Sequence, residues 1–149
     1  DIVAAFDVIE HIDEDELVLG RLNKALRPGG VIMLSVPQHM WLWSAADDIG
    51  HHKRRYARSE LMQKVKAAGF DVLEDTSFVT MLLPVMAAQR LVKARSKSYD
   101  GSSEFGLPGF VDKLLGMTLS FERKLILLGV RLPAGGSRFV IGRKPAKGA

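Results

Sequence analysis

Two unbroken apolar runs with one helix-length segment between them most constrain what this chain can fold into. Residues 1–6 read DIVAAF and residues 31–36 read VIMLSV. Neither run alternates apolar with polar, so each reads as a strand buried on both faces of a parallel sheet. Between them, Val18, Leu22, Ala25 and Leu26 recur at helical spacing. Asp13 with Glu16 three residues on has the form of a capping box. Pro28-Gly29-Gly30 stops the helix and turns the chain. Strand, helix and strand in this length make a βαβ unit with a right-handed crossover.

The pattern continues less regularly. Residues 38–58 form a polar and aromatic connection with Trp41, Trp43, Asp47, Asp48 and the run Gly50-His51-His52-Lys53-Arg54-Arg55-Tyr56. That is long for a loop between a strand and a helix, and such loops often carry function. Ser59 is placed to cap the next helix, whose apolar face is Leu61, Met62, Val65 and Ala68. Gly69 fits the position just past its end. Residues 70–74 (FDVLE) read as a third strand and residues 138–143 (RFVIGR) as a last one. Between these, residues 78–136 read as a helical insertion. It holds an apolar stretch around Val79, Leu82, Leu83 and Met86 that Pro84 bends or starts, a Ser/Gly/Pro loop over 96–109, and a second helix over 111–128. Residues 132–136 turn the chain, and residues 144–149 are expected to fray.

Composition narrows the class. The chain has 149 residues, 47% apolar and 26% charged, an ordinary balance for one folded domain. With no cysteine it has neither a disulfide framework nor a thiolate metal site, which fits a reducing, cytoplasmic setting. No apolar run reaches the roughly 18 residues of a spanning helix, and the first residues lack a signal-peptide pattern. Charge is divided: residues 1–89 hold 9 basic and 13 acidic side chains, and residues 90–149 hold 12 basic and 4 acidic. The basic part meets an anionic partner or is a solvated surface with a basic tail (Arg143, Lys144, Lys147). Aromatics are not interleaved with its charges, so a nucleic-acid partner is not expected.

In open α/β sheets ligands bind beyond the carboxyl ends of the strands. Asp7, Glu10 and His11 follow the first strand, and His51, His52, Arg54, Arg55 and Tyr56 follow the second. Glu10 and His11 read as a general base or hydrogen-bonding pair, or as a cap and a packed ring. His51 and His52 have no third ligand at a usual spacing, so no metal is expected. The run from His51 to Arg55 can receive an anion or stay solvated. Trp41 and Trp43 can stack on a flat substrate or form a packed edge. No Gly-rich phosphate loop follows any strand, and there is no Gly-x-Ser-x-Gly nucleophile elbow.

The run Asp1-Ile2-Val3-Ala4-Ala5-Phe6-Asp7-Val8-Ile9-Glu10-His11-Ile12, followed by Leu22-Asn23-Lys24-Ala25-Leu26-Arg27-Pro28-Gly29-Gly30 and the strand ending Ser35-Val36-Pro37, resembles the class I S-adenosylmethionine-dependent methyltransferases. His52-Lys53-Arg54-Arg55-Tyr56 and Ala68-Gly69-Phe70 are similar to the next part of that family. The resemblance covers residues 1–75, and a weaker one at residues 132–137 is to a subgroup met beside glycan and lipid biosynthesis. It implies an α/β fold: part of a Rossmann-like sheet whose strands run 3-2-1-4-5-7-6. Here strands four to seven are present and the last is antiparallel. Residues 1–149 are then the C-terminal portion of one domain: core over 1–77, insertion over 78–136, last strand and tail over 137–149. The family's Gly-rich cofactor loop has no counterpart in these residues, so the 149 residues alone are expected to bind the cofactor weakly and to be inactive by themselves.

The resemblance further implies S-adenosyl-L-methionine as cofactor, lined on its methionine side by Phe6, Asp7 and Val8, with Glu10 beside them. His11, then His51 or His52, would be the base for methyl transfer, and Arg55, Tyr56 and Trp43 would hold the acceptor. The acceptor is a small molecule or is linked to a glycan or lipid. The apolar stretches near 79–95 and 111–128, with Arg90, Lys93, Arg95, Arg123 and Lys124, either rest on a membrane or form a lid and a homodimer contact. A non-catalytic binding module with a basic C-terminal surface is the alternative function.

Overall fold

The computed structural model describes residues 1–93 and 109–146. Four strands make one sheet: β1 (Ile2–Phe6), β2 (Val31–Pro37), β3 (Asp71–Phe78) and β4 (Ser137–Arg143), in the spatial order β1-β2-β4-β3. β1 and β2 are parallel, with Ile2 opposite Val31 and Phe6 opposite Ser35. β4 lies between β2 and β3 and is antiparallel to both. This is the expected 4-5-7-6 order with an antiparallel final strand.

Among the described residues five α-helices accompany the strands: α1 (Asp15–Ala25), α2 (Ala45–Ile49), α3 (Arg58–Ala67), α4 (Leu83–Lys93) and α5 (Gly109–Leu127). Leu19 and Leu26 of the first crossover, and Leu61 and Val65 of α3, pack on Ile32, Leu34, Val36 and Val140 in one core. Each such side chain contributes about 1.5–3 kcal/mol of burial. Met62 and Ala68 pack against this core as their spacing predicts, and Gly69 takes the left-handed conformation that ends α3, with φ +87°.

Four local expectations are corrected. β1 is not buried on both faces: it stands at the edge of the described sheet, with Ile2 69% and Phe6 53% exposed. Asp13 does not cap α1, which starts at Asp15 after Glu14 without a side-chain cap. Asp15 instead turns inward to the Tyr56 hydroxyl at 2.7 Å and to Lys64 Nζ at 2.6 Å, and this buried cluster sets where the helix begins. Ala25 is exposed, and Leu19 takes the buried place on that helix. Ser59 lies inside α3 rather than at its cap, because Ala57 holds that position and Arg58 reaches back to Asp75 at 2.8 Å.

The described part of residues 78–136 contains the helices α4 and α5, with the end of β3 at Phe78 and non-helical backbone over 79–82 and 128–136. α5 lies along the opposite face of the sheet, where Phe6, Ser35, Phe139, Leu119 and Ile126 line a cavity of about 570 Å³. The Ser/Gly/Pro loop, up to residue 108, and Arg95 and Lys147 lie outside the described residues. Among the described residues no helix is long and apolar enough to cross a membrane.

Candidate active site

The site starts where β1 ends. Asp7 adopts a left-handed backbone, with φ 50°, and turns the chain away from the sheet. That turn is fastened by the Asp7 amide donating to the Ser35 carbonyl at 3.0 Å and by Ser35 Oγ donating to Asp7 Oδ1 at 3.2 Å. It leaves Phe6, Asp7 and Val8 exposed in a row. One 3-10 turn, Ile9–His11, follows and sends Glu10 inward and His11 outward. Glu10 is fully buried, yet neither carboxyl oxygen has a hydrogen-bond partner among the described residues. Burial is the main cause that raises its pKa above the usual carboxylate value, and the neighbouring Asp7 adds to it. The nearby Glu10 backbone amide and the rings of His11 and His52 act the other way.

The connection from β2 to α3 supplies the facing wall. Asp47 of α2 is buried and organises it. Its carboxylate accepts from the Ser44 amide at 2.8 Å, from Arg55 Nε at 2.8 Å and from Arg55 Nη2 at 3.0 Å, and it pairs with His52 Nδ1 at 2.8 Å. Burial alone raises the Asp47 pKa, but the two Arg55 bonds, the Arg55 charge, the Ser44 amide and His52 outweigh it and hold the group below the usual range.

Backbone and side-chain ties then press the connection onto the 3-10 turn. The Lys53 amide donates to the Glu10 carbonyl at 2.8 Å, and the Tyr56 hydroxyl lies 3.3 Å from the Ile9 carbonyl. The result brings one donor atom each from Glu10, His11 and His52 within 4.8 Å of one another. The two imidazole rings meet edge to face, with centroids 4.7 Å apart at 82°.

A family model described as "Methyltransferase domain" matches residues 1–75. The chain belongs to this methyltransferase-domain family. A probable S-adenosylmethionine-dependent methyltransferase of Mycolicibacterium smegmatis is 35% identical over 78 residues, which cover 51% of this chain and 30% of that protein. Among solved structures, a putative methyltransferase from Haloferax volcanii, in complex with the Trm112 methyltransferase activator, aligns with a TM-score of 0.54 at 16% identity. It covers 100% of this chain and 55% of that one. A Haemonchus contortus phosphoethanolamine N-methyltransferase in complex with S-adenosyl-L-methionine aligns at 0.50 with 16% identity, over 97% of this chain and 33% of that one. A SAM-dependent methyltransferase from Archaeoglobus fulgidus aligns at 0.51 with 17% identity, over 97% and 59%. At these identities the structural likeness establishes the Rossmann-like fold. The chain spans about a third to three-fifths of the lengths of these relatives.

Within this chain the expected site residues divide into two sets. Phe6, Asp7, Val8, Glu10, His11 and His52 come together at the carboxyl end of β1. His51 is exposed, with φ 54°, and stands outside the Glu10–His11–His52 cluster. Trp43 is half-buried, its indole donating to Asp48 Oδ1 at 2.9 Å, and Trp41 stacks loosely on His39 with ring centroids 5.6 Å apart.

The expectation that Arg55 and Tyr56 hold an acceptor is corrected by their burial. Arg55 is 9% exposed and committed to Asp47, and Tyr56 is fully buried and donates to Asp15. Burial first, and then the Asp15 carboxylate, push the Tyr56 pKa well above its ordinary value, so its hydroxyl stays a donor.

Two residues escaped the sequence reading. Asp47 was legible in principle, since Ser44 and Asp47 have capping-box spacing. His39 left no signal: it has φ 62° and a buried Nε2 without a partner. Burial first, then the charges of Arg138 and Arg55, lower its pKa and favour the neutral ring.

Proposed function

We propose that the polypeptide carrying this chain transfers a methyl group from S-adenosylmethionine to an acceptor that meets the cofactor beside Glu10, His11 and His52. The observation that carries this reading is the exposed turn Phe6-Asp7-Val8 at the carboxyl end of β1, immediately before the histidine cluster. The residues suit the cofactor: Phe6 and Val8 offer apolar surface to an aliphatic chain, and Asp7 keeps a carboxylate oxygen for a cationic group. When bound, S-adenosylmethionine supplies an electrophilic methyl on a cationic sulfur.

This chain's residues then position the partners and take a proton. Asp7 places negative charge beside the cofactor's positive groups. Glu10, buried without a partner, draws the adjoining imidazoles toward itself. As the acceptor's lone pair formed the new bond to the methyl carbon, the carbon–sulfur bond would break with its electron pair left on sulfur as a neutral thioether, and the acceptor's proton would pass to His11 or His52. Leu114, Met117 and Phe121 of α5 are exposed beside Lys113 and Lys124, which supports a lipid-linked acceptor held at an anionic surface.

Calorimetry with S-adenosylmethionine tests the reading. We expect the polypeptide to bind it, and Asp7→Ala together with Phe6→Asp to weaken binding at least about tenfold, in line with loss of a charge contact and an apolar contact. A folded parent protein that does not bind the cofactor refutes the proposal.

A further inference from the structure

Glu10 is an anomaly that the described residues do not explain: among them its carboxyl group has no solvent contact and no hydrogen-bond partner on either oxygen. Such a group is costly unless something cationic or protic meets it. One ring nitrogen each of His11 and His52 lies within 4.8 Å of a Glu10 carboxyl oxygen. His11 is the next residue of the same turn, but His52 cannot have been brought there by local sequence, since it belongs to a different loop. The Lys53–Glu10 backbone bond and the Tyr56 anchor hold that loop in place.

The tautomer of His52 is set by its surroundings. The Asp47 carboxylate already accepts from Ser44 and twice from Arg55, and a carboxylate offers only lone pairs. The proton in the His52–Asp47 bond therefore sits on Nδ1, and the Nε2 lone pair is left free. A histidine whose outer nitrogen donates to a buried carboxylate is the usual support of a metal-bound imidazole.

We propose that Glu10, His11 and His52 form a binding site for a borderline divalent metal ion of the zinc class. Two imidazole nitrogens and one carboxylate oxygen are the donors such an ion prefers, and three protein ligands leave a position open. Around a tetrahedral ion with bonds of about 2.0–2.1 Å the donors stand roughly 3.3 Å apart. The observed donors lie within 4.8 Å. His11, exposed and on a short turn, is the ligand free to close that gap. With an ion bound the free imidazole lone pairs are taken, so in that form the ion, in place of a histidine base, would ease loss of the proton from an oxygen-bearing acceptor. This last role rests on the proposed methyl transfer, but the binding of the ion does not.

The test uses zinc alone, without S-adenosylmethionine, on the untagged polypeptide, with a chromogenic chelator as competitor. We expect one equivalent to bind at low micromolar concentration or tighter. Glu10→Gln, His11→Ala and His52→Ala should each weaken binding at least tenfold. Asp47→Asn should weaken it by about ten- to a hundredfold through His52. His51→Ala should leave it unchanged, because His51 lies outside the cluster.

If Glu10→Gln fails to fold, shown by circular dichroism, the exposed His11→Ala decides in its place. No stoichiometric binding by the folded parent overturns the proposal. Equal losses for His51→Ala and His52→Ala also overturn it, since that is the pattern of unspecific histidine binding. Cofactor calorimetry in the presence of EDTA reads the methyltransferase proposal separately, so either idea can fail while the other stands.

Discussion

Asp47→Ala should be the most damaging single change in the loop that faces the candidate site, and the structure gives its size. The substitution leaves the Arg55 guanidinium 9% exposed with only the Gln38 carbonyl at 3.2 Å as a partner. Removing one member of a buried ion pair costs about 3–5 kcal/mol, most of it for the charge left behind. The Ser44 amide also loses its acceptor, a capping loss of about 1 kcal/mol. The total, about 4–6 kcal/mol, would lower the melting temperature by roughly 10–20 °C in a domain of this size. Urea unfolding followed by tryptophan fluorescence is a suitable assay, because Trp41 and Trp43 lie in the same loop. Circular dichroism then shows whether the rest of the sheet unfolds with it. Two companions sharpen the reading. Asp48→Ala, exposed and bonded only to the Trp43 indole, should stay within about 0.5 kcal/mol of the parent. Adding Arg55→Met to Asp47→Ala removes the stranded charge and should recover about 1–2 kcal/mol. A cost below about 1 kcal/mol for Asp47→Ala, or a double variant that merely sums its parts, would refute the claim that this buried pair organises the loop.

Further outcomes follow from the same geometry. Tyr56→Phe should cost about 1 kcal/mol, the value of one buried hydrogen bond, and leave S-adenosylmethionine affinity unchanged; a collapse of cofactor binding would return Tyr56 to the site. Leu61→Ala, at a fully buried position of α3 against β2, should cost about 2–5 kcal/mol by thermal melting. Asp75 and Asp15 both stay ionised below the usual carboxylate value near 3.8: burial opposes this, but Arg138 and Arg58 around Asp75, and Lys64 with Tyr56 around Asp15, outweigh it. Their folded pKa values lie under the unfolded ones, so the stability they contribute is present above about pH 4 and is lost as pH falls through the lowered values. Asp75→Asn should therefore be less stable than the parent at neutral pH and converge with it near pH 2; a constant gap across that range would count against the ion pair.

The sheet was legible because its signals are local. A short apolar run, a helical repeat and a Pro-Gly-Gly stop are each read within one element, and the crossover rule joins them. The helix starts were misread for the opposite reason. Asp13 and Ser59 have capping chemistry, but Asp15 is drawn inward by Tyr56 and Lys64, 41 and 49 residues away, and Arg58 is drawn to Asp75, 17 away. A cap is worth about 1 kcal/mol, and a buried charge cluster decides the boundary when it is worth more. The burial of Arg55 and Tyr56 was hidden in the same way. In sequence they extend a basic run that reads as exposed, and only the return of the loop onto the 3-10 turn shows that Asp47 and Asp15 absorb them.

The histidine pair shows where such reading stops. Looked at along the chain, His51 and His52 are equivalent and lack a third ligand. In the fold they part: His51 takes φ 54° and points to solvent, while His52 is fixed by Asp47 against Glu10 and His11. Of the four non-glycine residues with positive φ among the described residues, three (Asp7, His39 and His51) lie in the two segments that build the site. Each such residue costs on the order of 1–3 kcal/mol and persists only where its surroundings fix it. Those surroundings are the Asp7–Ser35 bonds for the first, the Tyr56 carbonyl receiving the His39 amide at 3.2 Å for the second, and the α2 carbonyl of Asp48 receiving the His51 amide at 3.1 Å for the third. The polypeptide thus spends stability from its one-sided core on holding two loops in unfavourable conformations. What those conformations secure is the meeting of Glu10, His11 and His52, groups that neither propensity nor spacing would bring together.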